Sequence, residues 1–136
     1  MSLDVDALRT SFQVALERQP QLTHRFYEIL FTRYPQARPL FGRTHSVEAQ
    51  EKMLAEALVA VLDHLEDGAW LTTQLREMGR RHHGYGITRE MYPWVGECLV
   101  AALKEAAGDG WSPRAEAAWG GAYGAICDLM FTGYPS

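Results

Sequence analysis

The chain has 136 residues, 47% of them hydrophobic and 22% charged, with a formal net charge of -4 at pH 7. That length fits one domain with an interior large enough to fold without covalent staples, so residues 1–136 are expected to form a single unit. The sequence has no basic block for nucleic acid or an anionic membrane surface, and no stretch near the ~20 apolar residues that cross a bilayer. Nor does its start, MSLDVDALR, carry the apolar run of a cleaved signal peptide.

The hydrophobic period is helical almost throughout. Val5, Leu8, Phe12 and Leu16 make a first stripe that ends at Gln19-Pro20, and Leu22, Phe26, Ile29 and Leu30 make a second. After Tyr34-Pro35 a short piece punctuated by prolines closes at Pro39-Leu40-Phe41. Ser46 is a suitable N-cap for a third helix with the stripe Val47, Gln50, Leu54, Ala57, Leu58 and Val61, and Asp67-Gly68 breaks it. A fourth helix is expected from Trp70 to His83, stopped by Gly84 and Gly86. Thr88 is expected to cap the fifth, with Tyr92, Val95, Leu99, Ala102 and Leu103 inward, and Gly108-Asp109-Gly110 to end it. Ser112 and Pro113 open the sixth, whose inward residues are Trp119, Tyr123, Ile126 and Met130. No segment alternates with period two, so the expected fold class is all-α. Cys98 and Cys127 fall inside apolar helical patterns and read as buried free thiols of a reducing, cytoplasmic setting.

Three polar residues break this pattern. Leu71, Leu75, Met78 and His82 are spaced by four, three and four, so the imidazole of His82 projects from the buried face of its helix. Taken alone, such a histidine is usually a hydrogen-bonded core residue. Tyr27 follows Phe26 in the second helix, and Gln50 precedes Leu54 by one turn in the third. By themselves these are a ring with its hydroxyl on a backbone carbonyl and a solvated glutamine. Together with His82 they describe a cavity with one nitrogen ligand on one wall and two hydrogen-bond donors on the other.

At these residues the chain resembles the globin family, and within it the bacterial single-domain globins related to flavohaemoglobins. The segments that carry the resemblance are RFYEILFTRYPQARPLF, GRRHHGYGI, YPWVGECL and AWGGAYG, in order along the chain. The resemblance implies a globin fold, helices packed three-over-three around a pocket for haem b, iron protoporphyrin IX. It implies His82 as the proximal iron ligand; His83 is rotated by about 100° out of the stripe. Tyr27 would be the main distal donor and Gln50 the second. Leu54 would lie over the iron, with Phe41 and Val95 as pocket walls. Arg81 would meet a haem propionate, and Tyr92 resembles the family's proximal-side tyrosine.

In that family a glutamate hydrogen-bonds the proximal tyrosine and histidine. Its place falls at Tyr134 here, and the ligand histidine is instead expected to donate its other N–H to a backbone carbonyl near Met78. The chain ends at Ser136, without the flavin and nicotinamide domains of a flavohaemoglobin, so a separate flavin or NAD(P)H reductase is expected to supply electrons. The implied function is reversible binding of O2, and of NO and CO, at a five-coordinate iron. Possible roles that follow are oxygen transport and nitric oxide detoxification by a dioxygenase reaction. The competing class is a haem-based gas or redox sensor, or a haem-free globin-fold interaction module.

Overall fold

The computed structural model describes residues 3–41 and 46–135; Met1, Ser2 and the terminal Ser136 lie outside them. Six α-helices follow in order: α1 Val5–Arg18, α2 Leu22–Arg33, α3 Val47–Asp63, α4 Gly68–Gly84, α5 Tyr92–Ala107 and α6 Pro113–Phe131. Short 3-10 turns stand at Pro35–Leu40, Arg89–Met91 and Gly108–Gly110. Among the described residues every element is helical.

Side-chain caps define four of the starts. Asp4 accepts the N–H of Ala7 at 3.2 Å, Ser46 that of Ala49 at 3.2 Å, Asp67 that of Trp70 at 3.1 Å, and Ser112 that of Ala115 at 3.1 Å. The Asp67 cap corrects the expected start of α4. The Asp-Gly pair does not end the preceding helix, which stops at Asp63; it opens the next one two residues before Trp70. Thr88 is also not the cap of α5. It precedes the 3-10 turn and makes no side-chain cap bond, and α5 begins at Tyr92 with Pro93 in its first turn. Gly86, at φ 86°, takes the left-handed conformation that turns the chain out of α4.

Two layers of three helices result. α2 lies along α5, α4 lies along α6, and α1 reaches both α5 and α6, while α3 leans on α2 and α1. The interior is built on Leu8, Leu22, Phe26, Leu30, Leu75, Cys98 and Leu103, all fully buried. Trp119 of α6 stacks obliquely on Phe12 of α1, and its Nε1–H donates to Ser11 Oγ at 2.8 Å, so this buried polar atom is paired. Leu16 and Val47 were expected inward; they are 38% and 37% exposed, because each sits at a helix end where the stripe has turned away from its neighbours. Both cysteines are free; Cys98 is buried and Cys127 half-buried.

Gly79 has no side chain to hold α4 off α6, and its backbone sits against the carbonyl of Met130. That close approach fixes the height of α4, and with it His82, against the end of α6. A second glycine, Gly96, lets the ring of Tyr123 lie across α5, from where its hydroxyl donates to Tyr92 O at 2.6 Å.

Candidate functional site: an internal cavity between α3, α4 and α5

α3 faces α4 and α5 across a cavity of about 730 Å³, closed at one side by α2 and the first 3-10 turn. Tyr27, Phe41, Gln50, Leu54, Arg81, His82 and Val95 all line it. Tyr92 does not; it borders a smaller adjoining cavity of about 160 Å³ that shares His82, Met78 and Leu54 with the larger one. The structure thus brings seven of the eight sequence-selected residues to one space and sets the eighth behind the histidine.

His82 is placed by the stripe that predicted it. Leu75 and Leu71, two and three turns back toward the start of α4, are buried and anchor the helix. The Nδ1 of His82 lies 2.8 Å from the Met78 carbonyl, the partner named from the sequence. A carbonyl can only accept, so Nδ1 carries the proton and Nε2 keeps a free lone pair. Burial is the main cause holding this imidazole below its ordinary pKa, the Met78 bond opposes it, and the Arg81 charge adds to the lowering. The ring is therefore neutral near pH 7. His83, by contrast, is exposed, and its ring meets Tyr134 at 5.1 Å.

On the opposite wall Tyr27 is 7% exposed and held by three aromatic neighbours, Phe26, Phe31 and Phe41, at centroid distances of 4.9, 5.8 and 5.3 Å. Among the described residues its hydroxyl has no hydrogen-bond partner. Burial first, then the Glu51 charge, pushes its pKa well up, so it remains a protonated donor. Gln50 is half-buried one turn from Leu54, and its side-chain amide likewise makes no hydrogen bond among the described residues. Arg81 sits at the rim; its neighbour Arg80 holds Glu77 with two short bonds, and Arg81 lies 3.9 Å from the same carboxylate.

The sequence reading missed several walls. Ile87 and Met91 line both cavities, yet they lie between α4 and α5, where no helical period exists to flag them. Met53, Trp94 and Tyr85 also reach the larger cavity. Among the described residues, no three His, Cys, Asp or Glu side chains converge as a ligand set for a bare metal ion. Among the described residues no helix is long and apolar enough to cross a membrane.

A family model described as Globin matches residues 24–130. The chain is 33% identical over 129 residues to a flavohemoprotein of Bacillus thuringiensis subsp. konkukian, covering 94% of this chain and 32% of that protein. It is 33% identical over 111 residues to a flavohemoprotein of Pseudomonas putida, covering 80% of this chain and 28% of that one. It therefore spans about a third of the length of the curated relatives it matches. Among solved structures, an engineered carbene transferase from Rhodothermus marinus superposes with a TM-score of 0.79 at 29% identity, covering 93% of this chain and 87% of that one. A bacterial globin from Campylobacter jejuni gives 0.76 at 26% identity, covering 93% and 90%. The family match spans most of the chain and the same residues build the cavity between two three-helix layers: the chain belongs to the globin family.

Proposed function

We propose that this protein binds haem b in the larger cavity, with His82 Nε2 as the iron ligand, and uses the opposite face of the haem to bind O2, NO or CO. The observation that carries this reading is a pair of unpartnered polar atoms on residues that line one cavity: His82 Nε2 and the Tyr27 hydroxyl. Both residues face the same space with these atoms free, and both atoms would be satisfied by a metal on one side and its gaseous ligand on the other.

The chain's residues fit that group. The space is about 730 Å³ and its lining is mostly apolar, so a flat apolar group that filled it would remove that surface from water. Its walls of Phe, Leu, Val and Met suit a flat apolar macrocycle, and a lone imidazole suits an iron whose other in-plane ligands come with the cofactor. Arg81, loosely engaged at the rim, would pair with a propionate. Haem supplies a ferrous iron able to bind a diatomic gas. Tyr27 donates to whatever partial negative charge that gas carries, Gln50 is within the same space to add a second donor, and Leu54 and Val95 keep water out. A donor to charge in such a pocket contributes roughly 1.5–3 kcal/mol, which favours tight, slowly released O2. With haem bound and a flavin reductase supplying electrons, a gas site held by these two donors would support a dioxygenase reaction with NO.

A visible spectrum of the purified protein tests the reading. A Soret band that shifts on adding CO to the reduced protein is expected. Its absence after reconstitution with haem would leave a haem-free interaction module.

A further inference from the structure

The larger cavity has a hydrogen-bonded contact beside it that gas binding does not account for. His24 lies on α2 one turn before Tyr27, and Glu51 lies on α3 next to Gln50. Nδ1 of His24 is 3.0 and 3.3 Å from the two oxygens of the Glu51 carboxylate, so the contact bridges the two helices that carry the distal donors. The Glu51 side chain is only 15% exposed, against 54% for His24. A carboxylate so placed is poorly screened, and its field reaches the Tyr27 hydroxyl, where it strengthens the hold on the proton.

The other charges facing the pair are few. On α2, Glu28 lies 3.9 Å from His24 Nε2 and 3.7 Å from Arg25. From α5, Glu105 takes Arg25 in two bonds of 2.7 and 2.9 Å, drawing that guanidinium away from His24. Among the described residues no other charged side chain is within ion-pair distance of His24 or Glu51. The imidazole therefore stands between two carboxylates.

We propose that His24 and Glu51 are a positioning pair for the distal pocket, which makes O2 retention proton-linked: protonation of His24 tightens α2 on α3, offsets the Glu51 charge and makes Tyr27 a stronger donor. The inference rests on the reading of Tyr27 as the distal donor. A carboxylate beside a phenol weakens its donation to a negative acceptor, and a cation set against that carboxylate restores it. The sign is that acid slows O2 release. Both residues act through Tyr27 and not on the gas itself.

The test is the O2 dissociation rate of the haem-loaded protein, measured by stopped flow from about pH 8 to about pH 5.5, the span over which histidine changes charge. Wild type should slow about two- to fivefold on acidification, the size of a partly screened pair. E51Q keeps an acceptor for His24 without the charge and should flatten the profile, as should H24A. Y27F should flatten it too, and CO release should respond little in all four proteins. A pH-independent wild-type rate, or a full pH response surviving in E51Q, overturns the proposal. The pair is also read without gas, by a thermal-unfolding double-mutant cycle between H24A and E51Q, whose coupling should grow as pH falls; no coupling at any pH overturns it. A protein with no Soret band fails the functional reading instead, and the unfolding cycle still decides whether the pair exists.

Discussion

The hydroxyl of Tyr134 lies 2.7 Å from the carbonyl oxygen of Ile87 and 3.0 Å from the hydroxyl of Tyr92. A phenol has one proton and a carbonyl accepts only, so Tyr134 donates to Ile87 and Tyr92 donates to Tyr134. Tyr92, whose ring is 6.3 Å from that of His82, thus spends its proton on the chain's C-terminal segment, while His82 spends its own on Met78. The place that the family resemblance gives to an acidic partner is filled by a neutral hydroxyl that does meet Tyr92. As an iron ligand, His82 with this neutral set would be less anionic than one paired with a carboxylate.

Tyr134→Phe would strand both the Ile87 carbonyl and the Tyr92 hydroxyl, at a cost of about 1–3 kcal/mol in urea unfolding. Tyr92→Phe removes only the donor to Tyr134, whose bond to Ile87 survives, so it should cost less. The reverse order of the two would mean that the protons run the other way.

Gly79→Ala should be among the most destabilising small substitutions in the chain. A Cβ there would press into the Met130 carbonyl, forcing α4 and α6 apart and moving His82 with them. A loss of about 2 kcal/mol or more is expected, with weaker haem retention. Gly120→Ala on α6 is the control: a Cβ there meets nothing within 4 Å, and in a helix interior it should stabilise by roughly 0.5–1 kcal/mol. Equal effects at the two positions in thermal unfolding would show that helix propensity, not the α4–α6 contact, decides both.

His82→Ala or His82→Leu should give protein that retains haem poorly, whereas His83→Ala should retain it. The two adjacent imidazoles point apart, one into the cavity walls and one onto Tyr134 at the surface. Haem titration followed at the Soret band distinguishes them. Retention in the His82 variant with loss in the His83 variant would put the register of α4 wrong by one residue.

The helices and most of the cavity were legible in the sequence because both depend on local periodicity. A stripe of four residues was enough to send His82 inward, and Tyr27 and Gln50 stood out as polar residues on otherwise apolar faces. What stayed hidden depended on distance along the chain. The Tyr134–Tyr92 and His24–Glu51 contacts join residues 42 and 27 positions apart, and no spacing rule marks them. The start of α4 was misplaced for a local reason: Asp67-Gly68 carries the signals of both a stop and an N-cap, and only the hydrogen bond to Trp70 shows that the cap won. Ile87 and Met91 escaped because the segment between α4 and α5 has no period, although the cavity draws on it.

Tyr27→Phe should keep the fold and the haem, since the ring keeps its three aromatic neighbours and loses only an unpartnered hydroxyl. O2 release should quicken about tenfold or more, the factor that corresponds to one strong donor. CO carries less negative charge on its far atom and should change much less. Flash photolysis and stopped-flow displacement measure both. Equal acceleration of the two gases would mean that the side chain governs access, and that the pocket does not discriminate by hydrogen bonding.

Nitric oxide separates the binding step from sustained turnover. Protein loaded with O2 and mixed with NO should react in one fast phase to ferric haem and nitrate, because that step needs only O2 held by Tyr27 and Gln50 and a path for NO into the cavity. Continued consumption of NO with NADH alone should be absent. Consumption should begin when a flavin reductase is added and should then scale with its concentration. Rapid mixing reads the first step and an NO electrode the second. Steady consumption with NADH and no added flavin would reveal an acceptor site for electrons that these helices do not suggest, and O2-loaded protein that ignores NO would assign the pocket to gas binding or sensing without dioxygenase chemistry.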